Sequence, residues 1–415
     1  MSEQPLGENT RAVHLPPAPV PRQEPLGTPV WRSATYAFAT SQEYADVLGE
    51  RMPGYTYSRI DNPTSDGFAA AVAALEGARV GGVTGEAFAS GMAAITGVLL
   101  AYTHAGAHVV APAAAYGGTY GLMSELLSRF GVTTDFVDMT DPARVRAAIR
   151  PETRLVWAET LANPTMAVAD LPALAEAAHE AGALLVVDST FATPVVCRPL
   201  EHGADLVVHS ATKYIGGHSD ATGGVVVGRP GVLAPVRAVR LHTGGALAPD
   251  EAFLLRRGLE TLPLRVRRQC DTAALLAAAA ARHPAVARVD YPGLPDHPGR
   301  ETAVRLFDAG PEGTRFGAIV TITPHGGPEA GMALADGLRL AKVATSLGGT
   351  HTLAGHIAST THRQLDEQAL AAAGIGPAAV RFSVGLEDAD DLIHDVNNAL
   401  TALGRIGERD GAFNS

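Results

Sequence analysis

Between Gly67 and about Leu264, short apolar runs alternate with amphipathic stretches. The runs Glu86 to Ala89, His108 to Ala111, Thr134 to Val137, Leu155 to Ala158, Leu184 to Val187 and Leu206 to Val208 have the length and character of buried strands. The stretches Leu122 to Phe130 and Leu171 to Ala181 read as helices lying between them. This alternation predicts an α/β fold with a mostly parallel sheet covered on both faces. Past Leu264 an alanine-rich helix, Asp271 to Ala281, leads into sparser strands at Ala318 to Thr323 and Val380 to Val384, a smaller α+β domain. The first 66 residues carry Pro16, Pro17, Pro19, Pro21, Pro25 and Pro29 with little periodicity, which predicts an arm resting on another surface. The expected division is an arm at 1–66, a large domain at 67–264 and a small C-terminal domain at 265–415.

The 415-residue length agrees with more than one unit, because single cores stop growing at roughly 250 to 300 residues. A formal charge of -11 argues against nucleic acid and anionic membrane as partners. Cys197 and Cys270 are the only cysteines and lack metal-ligand spacing. Neither a disulfide scaffold nor a metal site is therefore expected, and a reducing cytoplasm is the natural setting. No basic segment with an apolar core opens the chain, and no run of about 18 apolar residues occurs, so neither secretion nor membrane spanning is expected.

In open α/β sheets ligands bind beyond the carboxyl ends of the strands, so polar residues just after each apolar run carry the chemical information. Asp188, with Ser189 and Thr190, follows one run, and His209, Ser210, Ala211, Thr212 and Lys213 follow the next. A lysine amine that forms an imine with pyridoxal 5'-phosphate (PLP), together with a carboxylate that keeps the pyridine nitrogen protonated, is the minimum apparatus of that cofactor. Lys213 and Asp188 fit those two roles, although alone they also read as a surface lysine and a helix cap. Ser90, Gly91 and Met92 lead from a strand into a helix whose free N–H groups favour a phosphate. Ser210 and Thr212 can add hydroxyl donors to that phosphate. Pro164 keeps Asn163 out of helical geometry, so its amide can point at the phenolic oxygen of the cofactor.

With these segments in place the chain resembles, over nearly its whole length, the Cys/Met-metabolism family of PLP enzymes, which includes cystathionine γ-synthase, cystathionine γ-lyase, methionine γ-lyase and O-acetylhomoserine sulfhydrylase. The resemblance rests on Tyr57-Ser58-Arg59 with Asn62-Pro63-Thr64, Ser90-Gly91-Met92, Tyr116-Gly117-Gly118-Thr119, the Asp188 segment and His209 through Asp220. It continues in Arg257 through Leu262, Ser346-Leu347-Gly348-Gly349 and Arg381 through Asp388. It implies the PLP-dependent transferase fold type I and a homotetramer built as a dimer of dimers. Within each dimer, Tyr57 and Arg59 would reach the phosphate bound by the partner subunit. It also implies that Tyr116 stacks on the pyridine ring and moves protons, that Thr190 joins the cofactor contacts, and that Arg381 and Ser346 clamp the substrate carboxylate. The implied activity removes or replaces a group at Cγ of an L-amino acid, with β-elimination from cystathionine or cysteine as the alternative. A non-catalytic PLP-binding regulator would be expected to lose Lys213, Tyr116, Asp188 or Arg381, and all four are present.

Several positions depart from the family pattern. Cystathionine-handling members usually carry glutamate where Thr345 stands, so a distal ammonium would lack its partner. The cysteine characteristic of methionine γ-lyases is Gly118 here, and their Lys-Asp pair is Arg240-Leu241. His351 and Ile357 replace a common glutamate and proline. Thr345 predicts a preference for small, uncharged Cγ substituents such as a thioether methyl, an O-acyl group or a halide, and the other changes point away from a standard methionine γ-lyase and toward a pocket for an unusual amino acid.

Overall fold

The computed structural model describes Gln23 and residues 25–361, 368, 370 and 374–412, with side chains placed as far as residue 403. The expected arm prolines Pro16, Pro17, Pro19 and Pro21 lie outside the described residues. The large sheet contains β1 (Thr84–Phe88), β2 (His108–Pro112), β3 (Thr133–Val137), β4 (Thr153–Glu159), β5 (Leu184–Asp188), β6 (Leu206–Ser210) and β7 (Gly224–Gly228). Their spatial order is β1-β7-β6-β5-β4-β2-β3. Strands β2 to β6 pair in parallel, whereas β7 runs antiparallel between β6 and β1.

Side-chain alternation along these strands feeds two layers of core. Trp157, Val186, Leu206 and Val208 pack with Ile95, Val98 and Leu99 of the helix Gly91–Tyr102. On the opposite face, Val156, Ala158, Leu185, Val187 and Val207 pack with the helices Leu171–Glu180 and Leu262–Ala280. Trp157 is fully buried, and cutting it to alanine would cost about 3–5 kcal/mol.

The same buried cluster continues into the second sheet through Val266, Ala273 and Leu276 to Ile319, Val320 and Phe382. That sheet joins the strands Lys342–Val343, Leu353–His356, Val380–Ser383, Ile319–Pro324 and Val286–Asp290 in this order. The expected boundary at 264/265 thus falls inside one continuous helix, Leu262–Ala280. The expected boundary at 66/67 likewise falls inside the helix Pro63–Glu76, which starts early because Asn62 caps it through Thr64 N–H and Pro63 takes its first turn. The arm also holds a helix, Ser41–Leu48, capped by Thr40.

The expected helix Leu122 to Phe130 takes a different form. A π-helical turn, Leu122–Leu126, tightens into a 3-10 turn, Leu127–Phe130, and the chain leaves through Gly131 at φ 78°. The wide turn brings Leu122 and Leu127, five apart, to the core together with Met123. What matters for function is that Glu159, Asp188 and Ser210 close three adjacent strands at one sheet edge.

Candidate active site

A cleft at that edge is lined by Ser90, Gly91, Met92, Tyr116, Glu159, Asn163, Asp188, Thr190, Ser210, Thr212 and Lys213, among others. Eleven residues far apart in sequence therefore meet, ten of them expected from the sequence. Ser90 caps the helix Gly91–Tyr102 by accepting from Ala93 N–H at 3.1 Å. The first N–H groups of that helix, on Gly91 and Met92, have no acceptor within it. Only glycine fits at position 91, since a Cβ there would lie 2.6 Å from the Cβ of Ser210. Thr190 Oγ1 accepts from Ser210 N–H at 2.8 Å, which ties the β5 end to the β6 end. Thr212 Oγ1 accepts from Gly223 N–H at 3.0 Å and closes the base of the Lys213 loop.

Asp188 accepts from Thr190 N–H at 3.0 Å. Half-buried, with its remaining exposure toward the cleft, it is pushed above the usual carboxylate range by desolvation. Thr190 and His209 pull it partly back. A cation bound against it would remove that penalty. The Lys213 amine donates to Ser346 Oγ at 2.9 Å. Burial, and next the positive charge of Arg381, hold Lys213 below the ordinary lysine range, which favours the neutral, nucleophilic amine.

Arg381 lies on the small-sheet strand Val380–Ser383 and is buried. It donates to Asn163 Oδ1 at 3.0 Å and to the Ser346 carbonyl at 3.1 Å. Desolvation lowers its pKa, and the phenols of Tyr214 and Tyr116 oppose this. Among the described residues no carboxylate pairs with it. Because Asn163 Oδ1 faces a cation, its amide nitrogen is left to face away from Arg381. Ser346 reaches both Lys213 and Arg381 from a left-handed backbone, φ 82°, an uncommon conformation for a residue with a Cβ. Thr345 beside it is exposed.

Glu159 is the cleft residue that sequence reasoning passed over. Its Oε1 accepts from Tyr116 N–H at 2.7 Å and its Oε2 from Asn163 N–H at 3.3 Å. Burial, and then neighbouring Asp188, push its carboxyl up to about 8 against the pull of those two donors. The signal was available: Glu159 ends an apolar strand as Asp188 does, and the two are in register on β4 and β5.

Gly118 packs closely against the cleft, because a Cβ there would come within 2.7 Å of the Tyr116 ring and 2.9 Å of Met92 Sδ. Tyr116 lines the cleft and is 46% exposed. Tyr57 and Arg59 do not line this cleft. Arg59 donates to the Leu241 carbonyl at 2.7 Å, and its guanidinium lies 5.7 Å from the centre of the Tyr57 ring. Arg240 holds the same segment by donating to the Ile60 carbonyl at 2.7 Å while pairing with Glu86 at 2.8 Å.

These residues fit PLP. A buried amine is held toward neutrality, a desolvated acid lacks a cation, and a glycine cradle opens on free N–H groups. Comparisons with known proteins agree. Residues 9–401 match the family model for Cys/Met metabolism PLP-dependent enzymes. The chain is 40% identical to L-methionine gamma-lyase of Porphyromonas gingivalis, covering 91% of this chain and 93% of that protein. It is 39% identical to cystathionine gamma-synthase of Mycobacterium bovis, covering 95% and 97%. A solved structure of cystathionine gamma-lyase from Lactobacillus plantarum complexed with L-serine superposes with a TM-score of 0.83 at 34% identity, covering 91% of this chain and 93% of that one.

Proposed function

Since the chain belongs to the Cys/Met-metabolism PLP-dependent enzymes, we propose that it removes or replaces a small, uncharged group at Cγ of an L-amino acid, with Lys213 as cofactor lysine and proton carrier. Bound PLP supplies an electron sink for negative charge developing on the substrate. Asp188 balances the charge of the pyridine nitrogen. Ser90, Gly91, Met92, Ser210 and Thr212 hold the phosphate, and Thr190 keeps the strand ends together. Asn163 donates its amide to the phenolic oxygen. Tyr116 covers the ring, keeps water from that face and moves a proton to the departing group. Arg381 binds the substrate carboxylate, and the Lys213 amine, steadied by Ser346 Oγ, carries the proton away from Cα.

The observation that carries this reading is the seating of Ser346 between a lysine kept toward neutrality and a buried arginine without a carboxylate. An amino acid whose carboxylate meets Arg381 brings its Cα within the domain of Lys213. The arm residues Tyr57 and Arg59 act on the partner subunit's cleft in a homotetramer, a proposal supported by their absence from the lining of their own cleft and by the exposed Trp31, Tyr44, Leu48 and Met52 in the same arm.

The test is product analysis on PLP-loaded protein offered L-methionine, O-acetyl-L-homoserine, O-succinyl-L-homoserine and L-cystathionine, with and without an added thiol. Release of the Cγ substituent as its free thiol or acid, with the four-carbon skeleton appearing as 2-oxobutanoate and ammonia or captured by the added thiol as an S-substituted homocysteine, supports the reading. Pyruvate as the sole product, or no turnover of any Cγ-substituted amino acid, refutes it.

A further inference from the structure

An unbroken series of hydrogen bonds runs from the reactive amine to the ring-covering tyrosine. Lys213 donates to Ser346 Oγ, the Ser346 carbonyl accepts from Arg381, and Arg381 donates to Asn163 Oδ1. Asn163 N–H donates to Glu159 Oε2, and Glu159 Oε1 accepts from Tyr116 N–H. The last two links pass through one side chain, and each of its oxygens serves a different loop. One loop follows β2 and carries Tyr116; the other follows β4 and carries Asn163. No backbone–backbone hydrogen bond joins Tyr116 to Asn163. Glu159 itself is fixed by the register of β4 with β5, where it lies beside Asp188, and it is buried.

We infer that Glu159 is a positioning residue which sets the Tyr116 ring and the Asn163–Arg381 clamp together, so that ring cover and carboxylate binding are adjusted by a single carboxylate. This inference rests on the functional reading above. Both of its contacts are to backbone N–H groups, so an acceptor is needed at each of its two oxygens. Glutamine has the same shape but offers one acceptor and turns one N–H donor against another, while aspartate keeps the carboxyl group and falls one methylene short of spanning both loops. Neither substitution disturbs the strand pairing, which uses main-chain groups alone.

The experiment compares wild-type, Glu159→Gln and Glu159→Asp holoproteins for PLP content, visible circular dichroism of bound PLP, and KM and kcat on the best substrate of the panel. With PLP retained, the Gln variant is expected to raise KM by about 10-fold or more, the scale of one buried donor left without its acceptor. It should also lose part of the visible dichroic band as the Tyr116 ring tilts. The Asp variant should recover part of one signal or the other. Wild-type KM and dichroism in both variants overturn the inference. So does failure of both variants to fold, which would make Glu159 a determinant of the fold instead. Failure of the functional reading is distinct, because it shows in wild-type protein that neither takes up PLP nor turns over substrate.

Discussion

Replacing Arg381 by leucine removes the buried cation proposed to meet a substrate carboxylate. The side chain is only 9% exposed, and its acceptors, Asn163 Oδ1 and the Ser346 carbonyl, are neutral. An incoming carboxylate would therefore form a desolvated, hydrogen-bonded charge pair. Truncating one partner of such a pair costs about 2–5 kcal/mol, or about 30-fold to several thousand-fold in kcat/KM. Arg381→Lys keeps the charge but loses the planar fork, and should fall between wild type and the leucine variant. Stability should move less than activity. Relief of an uncompensated buried charge is offset by two acceptors left without donors, at about 1–3 kcal/mol each. The assay is kcat/KM for the best amino-acid substrate and for its carboxamide, in all three proteins, with Tm and PLP content as controls. Wild type should discriminate against the carboxamide strongly and Arg381→Leu hardly at all. Equal discrimination in both, with PLP retained, would refute the assignment of Arg381 as the carboxylate's partner.

The raised Glu159 carboxyl gives the apo protein a pH-dependent stability. Its proton is held up to about 8 when folded, against an ordinary value of 4.5, so the contribution is full below pH 4.5 and is lost as pH rises through about 8. The Tm of apo wild type should drop from pH 5 to pH 9 more than that of apo Glu159→Gln; equal drops would count against the shift. Thr345→Glu should move the kcat/KM ratio toward L-cystathionine over O-acetyl-L-homoserine by up to about 5-fold, since at this exposed position a carboxylate meeting a distal ammonium adds at most about 1 kcal/mol. An unchanged ratio removes Thr345 from the specificity site. Mixing inactive Arg59→Ala with inactive Lys213→Ala protein should restore activity once subunits exchange, because one site per mixed dimer holds both native residues; silence in verified mixed dimers contradicts a crossed site.

The large sheet was legible because its central strands β2, β4, β5 and β6 are mostly buried and read as apolar runs, three of them ending in a polar residue that lines the cleft, Glu159, Asp188 and Ser210. Asp188 and Lys213 were found by that rule, and Glu159 satisfies it equally. It was passed over because Asn163 and Pro164 drew the reading of that segment toward its turn. Strand β7 escaped notice because Val225, Val226 and Val227 form a run of three between glycines. Its antiparallel course breaks the alternation of strand and crossover that organised the reading. The π-turn at Leu122 could not be anticipated from periodicity, since five-residue spacing belongs to neither regular helix nor strand. The link from Ser346 to Lys213 and Arg381 is tertiary and depends on the positive φ of Ser346, which no neighbouring residue type announces.

The pairing of β6 with β7 makes the Lys213 loop the product of a local hairpin, with Ser210 facing Gly224 and Thr212 bonded to Gly223 at its base. The opposite wall of the phosphate cradle, Gly91 on the helix after β1, comes from far earlier in the chain and meets Ser210 only when β1 docks on β7. Local pairings form early and long loops close late. The two walls of the cradle meet only where β1 lies on β7, so retention of PLP should report on the docking of the sheet's first strand.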